Sequence, residues 1–142
     1  MKWNTTKQKY GARATESVEG EKFDSVKEMT RYNALTMLQS AGEIYGLRRQ
    51  VRIKILPKIM GRQKARTARG VRWHGYVDER AVYYTADFAY RRAEDGLYIL
   101  EEVKSKATRV ARDYPIRRKL VKMRLLNHNS LGRGQWKFEE YV

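Results

Sequence analysis

An aspartate within one apolar run, Tyr83-Tyr84-Thr85-Ala86-Asp87-Phe88-Ala89-Tyr90, and a Glu-x-Lys within the next, Leu97-Tyr98-Ile99-Leu100-Glu101-Glu102-Val103-Lys104, are the residues best suited to chemistry. Both runs read as strands, joined through Glu94-Asp95-Gly96, where Asp-Gly is a strong turn signal. Strand side chains alternate with period two, so Glu102 and Lys104 share a face, and pairing of the strands can bring Asp87 beside them. Carboxylates are hard oxygen ligands suited to Mg²⁺ or Mn²⁺, and phosphodiester cleavage needs a metal to polarise phosphate and neutralise developing charge. A lysine there can orient water or stabilise the transition state by its charge. Asp87 lies in an aromatic run, where a charge is costly without a partner or a metal. Glu101 competes for the metal role, but it faces away from Glu102 unless a bulge intervenes, and only Glu102 has the parity of Lys104.

The chain has 142 residues, enough for one domain with a modest core. Its 31 Lys+Arg against 16 Asp+Glu give a formal net charge of +15, which points to a polyanionic partner. DNA is the leading one, because neutralised phosphates release counterions. The basic residues are spread along the chain rather than gathered on one amphipathic helix, which argues against a membrane surface. With no cysteine there is no disulfide, thiolate site or cysteine nucleophile. His74 and His128 are too isolated for a histidine metal site and read as surface or structural residues. No apolar run is long enough for a transmembrane helix, so a soluble intracellular protein is expected.

The elements that must position these residues follow from local pattern. Residues 1–14, including Lys9 and Arg13, read as a basic arm, and 15–142 as the folded domain. A short hairpin is expected over Glu16–Phe23, turning near Gly20. A helix follows from Asp24-Ser25 to about Ala41, with Val26, Met29, Tyr32, Leu35 and Leu38 at helical spacing. Ser25-x-x-Glu28 fits a capping box, which gives Glu28 a purely structural role. Leu47–Leu56 alternates as a strand. From Lys58 to Arg72 the chain is Gly-, Ala- and Arg-rich without an acid and reads as a basic loop of about 58–76 whose cations, Arg62, Lys64, Arg66 and Arg69 among them, contact DNA. Trp73 and Tyr76 are stacking or packing residues. After the Glu-x-Lys strand, a helix with Pro115 in its first turn runs to about Asn127. Ile116, Leu120, Met123 and Leu126 are its expected buried stripe, with the cations Arg117, Arg118, Lys119, Lys122 and Arg124 solvated or facing phosphate. Gln135–Val142 makes a last strand. The expected architecture is a single α/β domain with a central mixed sheet flanked by helices.

Four blocks together resemble the PD-(D/E)XK nuclease superfamily, and within it a small phage and prophage family catalogued as a domain of unknown function. They are Lys9-Tyr10-Gly11; Gly20-x-x-Phe23-Asp24-Ser25-x-Lys27-Glu28 with Arg31-Tyr32; Tyr84-x-x-Asp87-Phe88 with Glu102-Val103-Lys104; and Tyr114-x-Ile116-Arg117-Arg118-Lys119-Leu120. Ala86 stands where the superfamily's name has proline. The resemblance implies a restriction-endonuclease-like fold and makes Glu28 a further metal-site acid. Asp87, Glu102, the Val103 carbonyl and Glu28 would then hold one or two Mg²⁺, with Mn²⁺ as a substitute, and Lys104 would position the water. Arg117 and Lys119 would hold neighbouring phosphates. The expected activity is structure-selective DNA cleavage by a homodimer at branched DNA such as a Holliday junction, in the cytoplasm of an infected or lysogenic bacterial host. A nicking or replication-associated endonuclease, a non-catalytic DNA-binding recombination accessory protein and an RNA-binding protein are the alternatives.

Overall fold

The computed structural model describes residues 15–16, 22–23 and 25–142. The basic arm of 1–14, with Lys9 and Arg13, lies outside the described residues, as does the turn at Gly20. Among the described residues, β1 (Thr15–Glu16) and β2 (Lys22–Phe23) pair antiparallel.

Ser25 Oγ accepts the Glu28 N–H at 3.1 Å and starts helix α1 (Val26–Ser40), which stops before Gly42 at φ +78°. Strand β3 (Ile44–Leu56) begins three residues before the expected Leu47. The expected hairpin forms from β6 (Val82–Arg92) and β7 (Tyr98–Val103). Helix α2 (Tyr114–Ser130) follows a short 3-10 turn, Thr108–Val110, and leads to β8 (Trp136–Tyr141). The central sheet has the order β3-β6-β7-β8, with β8 parallel to β7 and the other pairs antiparallel. This is a single α/β domain with a mixed sheet between two helices.

Each face of the sheet has its own core. Leu35 of α1 packs with Ile44, Phe88, Tyr90 and Ile99, while Tyr114, Val121 and Leu125 of α2 pack with Ile55, Tyr84, Leu100 and Phe138. The α2 stripe differs from expectation: Ile116, Met123 and Leu126 are exposed. Residues 114, 118, 121 and 125 have helical spacing as good as that of the expected set. Arg118 makes that stripe look polar, but its guanidinium reaches the sheet edge and pairs with Glu140 at 3.1 Å.

Between β3 and β6 the chain makes a second hairpin, β4 (Ile59–Thr67) with β5 (Gly70–Glu79), where a loop was expected. Among the described residues its strands pack substantially on each other alone. No face of this arm is buried, so the apolar alternation that marks a strand is missing from the sequence. Its pairing rests on the two-residue turn Ala68-Arg69, with Gly70 at φ +110°, and on Tyr76, whose ring covers the opposed Gly61.

Candidate functional site

The site lies where the sheet changes the face its side chains present. Along β6, Tyr84 and Ala86 belong to the α2-side core, but Phe88 and Tyr90 to the α1-side core. On β3, Leu47 packs on the α1 side, whereas Val51 and Ile53 pack on the α2 side. Both strands cross over at the same rung, Gln50 opposite Asp87. There Gln50 adopts φ +50°, a left-handed conformation that costs a non-glycine residue about 1 kcal/mol or more. Beyond Phe88↔Glu101, β6 leaves β7, and the Val103 N–H that a strand partner would take donates to Asp87 Oδ2 at 2.8 Å.

The bond to the residue after Glu102 keeps Asp87 beside Glu102, close enough for the two charges to act on each other, so the structure brings these two acids together. Glu102 is 4% exposed. Lys104 Nζ lies 2.6 Å from Glu102 Oε1, and Glu102 Oε2 is buried without a hydrogen-bond partner. Burial, followed by the charges of Glu102 and Glu28, pushes the Asp87 carboxyl up to about 7 against the lowering effects of the Val103 N–H and Lys104. Sequence pattern did not single out Tyr84 and Tyr114 for this site, yet their buried hydroxyls also lack hydrogen-bond partners. Burial raises both phenols, and Glu102 contributes to each shift.

Glu28 is buried on α1. Its backbone N–H completes the Ser25 half of the expected cap, while its Oε1 accepts from Gln50 Nε2 at 3.0 Å and lies 3.8 Å from Arg49 Nη2. The strained crossover residue therefore ties this acid to the sheet. Lys27, quoted with the resembling blocks but given no role there, donates from its ammonium to the Lys104 carbonyl at 3.0 Å and fixes the backbone of the Glu-x-Lys strand.

Glu101 has the opposite surroundings. Arg31 holds it through two bonds of 2.7 and 2.8 Å, and the Tyr90 hydroxyl donates at 2.7 Å. This carboxylate is satisfied on the α1 side and has no exit to the site.

A cleft of about 380 Å³ opens over Glu102 and Lys104, bounded by Tyr84, Thr85, Tyr114 and Arg117. Arg117 comes from α2, lies over the Tyr84 ring at 5.6 Å and donates to the Tyr83 carbonyl at 3.2 Å. Lys119 is exposed on the same helix, and Arg62, Lys64, Arg66 and Arg69 line the arm, away from the two acids.

Among the described residues, no three of His, Cys, Asp and Glu converge as a metal cage. Asp87 and Glu102 supply hard oxygens of the kind Mg²⁺ shares with water and phosphate, and the expected third donor, the Val103 carbonyl, belongs to the residue whose N–H binds Asp87. The unsatisfied Glu102 Oε2 fits such a cation. Among the described residues, no helix is long and apolar enough to cross a membrane.

A family model described as "Protein of unknown function (DUF1064)" matches residues 7–138. No curated protein and no solved structure matches the chain.

Proposed function

The chain belongs to the DUF1064 family, and for this member we propose a metal-dependent, structure-selective DNA endonuclease with a restriction-endonuclease-like fold. One observation carries the reading: half-buried Asp87 and buried Glu102 meet at the sheet crossover, one Glu102 oxygen is left without a hydrogen bond, and Lys104 closes on the other. Two acids that raise each other's cost in this way are poor scaffolding, but they suit a site that takes up positive charge.

Mg²⁺ bound by Asp87, Glu102 and the Val103 carbonyl would polarise the scissile phosphate and offset its developing charge. Lys104, held between Glu102 and the Tyr114 ring, whose centroid is 5.2 Å from Nζ, orients the attacking water and stabilises negative charge in the transition state. Arg117, at the cleft wall, holds a phosphate next to the scissile one, with Lys119 further along α2. Glu28 acts through Gln50 and through its charge on Asp87 as a positioning residue. The arm and the net charge of +15 supply affinity for the DNA backbone without an evident base-reading element. Recognition of shape follows, with branched DNA such as a Holliday junction as the substrate and a homodimer as the form that cuts paired strands.

The second reading is a non-catalytic DNA-binding protein. It is favoured by the close Lys104–Glu102 pair, which neutralises one acid without any metal. Cleavage of labelled four-way junction, linear duplex and single-stranded DNA in Mg²⁺, Mn²⁺ or EDTA separates the two. Metal-dependent symmetric nicking of the junction, lost in Asp87→Ala and Lys104→Ala with binding retained, supports the resolvase. Equal cutting of all substrates keeps the nuclease and removes the junction. Binding without cleavage under every metal condition favours the accessory protein.

A further inference from the structure

The β4–β5 arm carries a built feature that phosphate contact alone does not explain. Arg62, Lys64 and Arg66 of β4 share one face of the ribbon with their cross-strand partners Gly75, Trp73 and Val71. Cations thus run along one strand of that face and uncharged residues along the other. Trp73 is 57% exposed. The Arg62 guanidinium lies 5.8 Å and the Lys64 ammonium 5.2 Å from its ring centroid. An exposed indole has no core to stabilise, and the two cations hold it on the ribbon face.

The two glycines of the ribbon differ. A Cβ on Gly61 would collide with the Tyr76 ring, so that glycine is needed for packing. A Cβ on Gly75 would meet nothing closer than Met60 Cε at 3.7 Å, an ordinary contact, and Gly75 is not in the left-handed region. Neither packing nor backbone requires glycine at 75. Its effect is to leave the ribbon face without a side chain of its own at the position next to Trp73, where only the tip of Met60 reaches.

We propose that Trp73 and the gap over Gly75 form a stacking site for an unpaired nucleobase, with Arg62, Lys64 and Arg66 tracking the phosphates of the same strand. Between residues 58 and 80, Lys and Arg outnumber acids seven to two, which selects a polyanion over a second copy of this chain, itself at +15. Alternate residues of a strand are about 6.6 Å apart, comparable to the separation of neighbouring phosphates in an extended single strand. In intact duplex, base faces are covered by their neighbours. An open indole face beside a cation row therefore favours single-stranded or splayed nucleotides over duplex. The site deepens the nuclease reading by naming what marks a branch, and it rests on that reading for the source of the unpaired base.

The test is binding of fluorescently labelled oligothymidine and of duplex of equal length, followed by anisotropy in EDTA, where no cleavage occurs. Trp73→Ala is expected to weaken oligothymidine binding by roughly 5- to 100-fold and to leave duplex binding within about twofold, with Trp73→Phe retaining most of the affinity. Gly75→Val, whose Cβ has room at that position, is expected to reproduce the selective loss. Unchanged oligothymidine binding in both Trp73→Ala and Gly75→Val, or equal losses on the two DNAs, overturns the stacking site. Because the readout needs no metal, its failure is separate from a failure of the cleavage chemistry.

Discussion

Glu101 and Glu102 are neighbours on one strand and both buried, but they are satisfied in different ways. Glu101 faces α1, where Arg31 and Tyr90 make three hydrogen bonds to it. Glu102 faces α2, where one oxygen meets Lys104 and the other has no hydrogen-bond partner, with the Tyr84 hydroxyl as its neighbour. The same residue type at the same depth is a structural ion pair on one face and an incompletely paired charge on the other. What separates them is the completeness of their hydrogen bonding, since burial is nearly equal. A protein tolerates an unsatisfied buried carboxylate mainly where function requires it.

The comparison is sharpened most by activity. Glu102→Gln and Asp87→Ala are each expected to lower metal-dependent cleavage by about 10²–10³-fold or more, the range for removing one electrostatic element of a site, as measured by initial rates on labelled junction. Glu101→Gln is expected to keep activity wherever it is folded.

Stability should show the reverse order. Glu101→Gln leaves the Arg31 guanidinium without its carboxylate and is expected to cost about 2–4 kcal/mol in urea unfolding. Glu102→Gln should cost less than about 1 kcal/mol, because it removes a charge that was not fully paired. Equal losses in the two variants would erase the distinction between the faces.

Asp87 gives a pH-dependent version of the same contrast. Its carboxyl titrates near 7 in the fold against an ordinary value of 3.8. In that interval the folded state binds more protons than the unfolded state, so its contribution to stability is full below the unfolded pKa and is lost as pH rises through 7. Asp87→Asn, which is permanently neutral, is therefore expected to be more stable than wild type by roughly 1–3 kcal/mol at pH 8 and to match it near pH 4, in metal-free thermal melts. A variant no more stable than wild type at pH 8 would show that burial of this acid is already compensated.

The smallest effect expected is on metal affinity. Since a ligating carboxylate must be deprotonated, Mn²⁺ binding to the wild type should weaken by up to about tenfold for each pH unit below 7, as followed by calorimetry at pH 6 and pH 8. A flat profile would place the metal away from Asp87.

Much of this contrast was legible in the sequence. Parity alone put Glu102 with Lys104 and Glu101 on the other face, and the Asp-Gly turn marked the hairpin whose pairing runs to Phe88↔Glu101, one residue short of Asp87 and Glu102. The Ser25 cap and both helices followed from residue type and spacing. The crossover at Gln50 was not legible, because a left-handed glutamine leaves no mark in a hydrophobic pattern. Without it, Glu28 could be read as a cap or as a metal acid, but not as a carboxylate tied to Gln50. The arm was hidden for a different reason: a ribbon with no buried face has no alternation to read, and its cations suggested a loop. On α2 two stripes competed, and the correct one contains Arg118, whose polarity is offset only by Glu140 on a distant strand.

The most direct measurement is strand cleavage of labelled four-way junction by wild type, Glu102→Gln and Glu101→Gln side by side, in Mg²⁺ and in EDTA, at a temperature where all three are folded by circular dichroism. The account predicts Mg²⁺-dependent nicks from wild type and Glu101→Gln and none from Glu102→Gln. Cleavage by Glu102→Gln at the wild-type rate, or no cleavage by wild type in Mg²⁺, would contradict it.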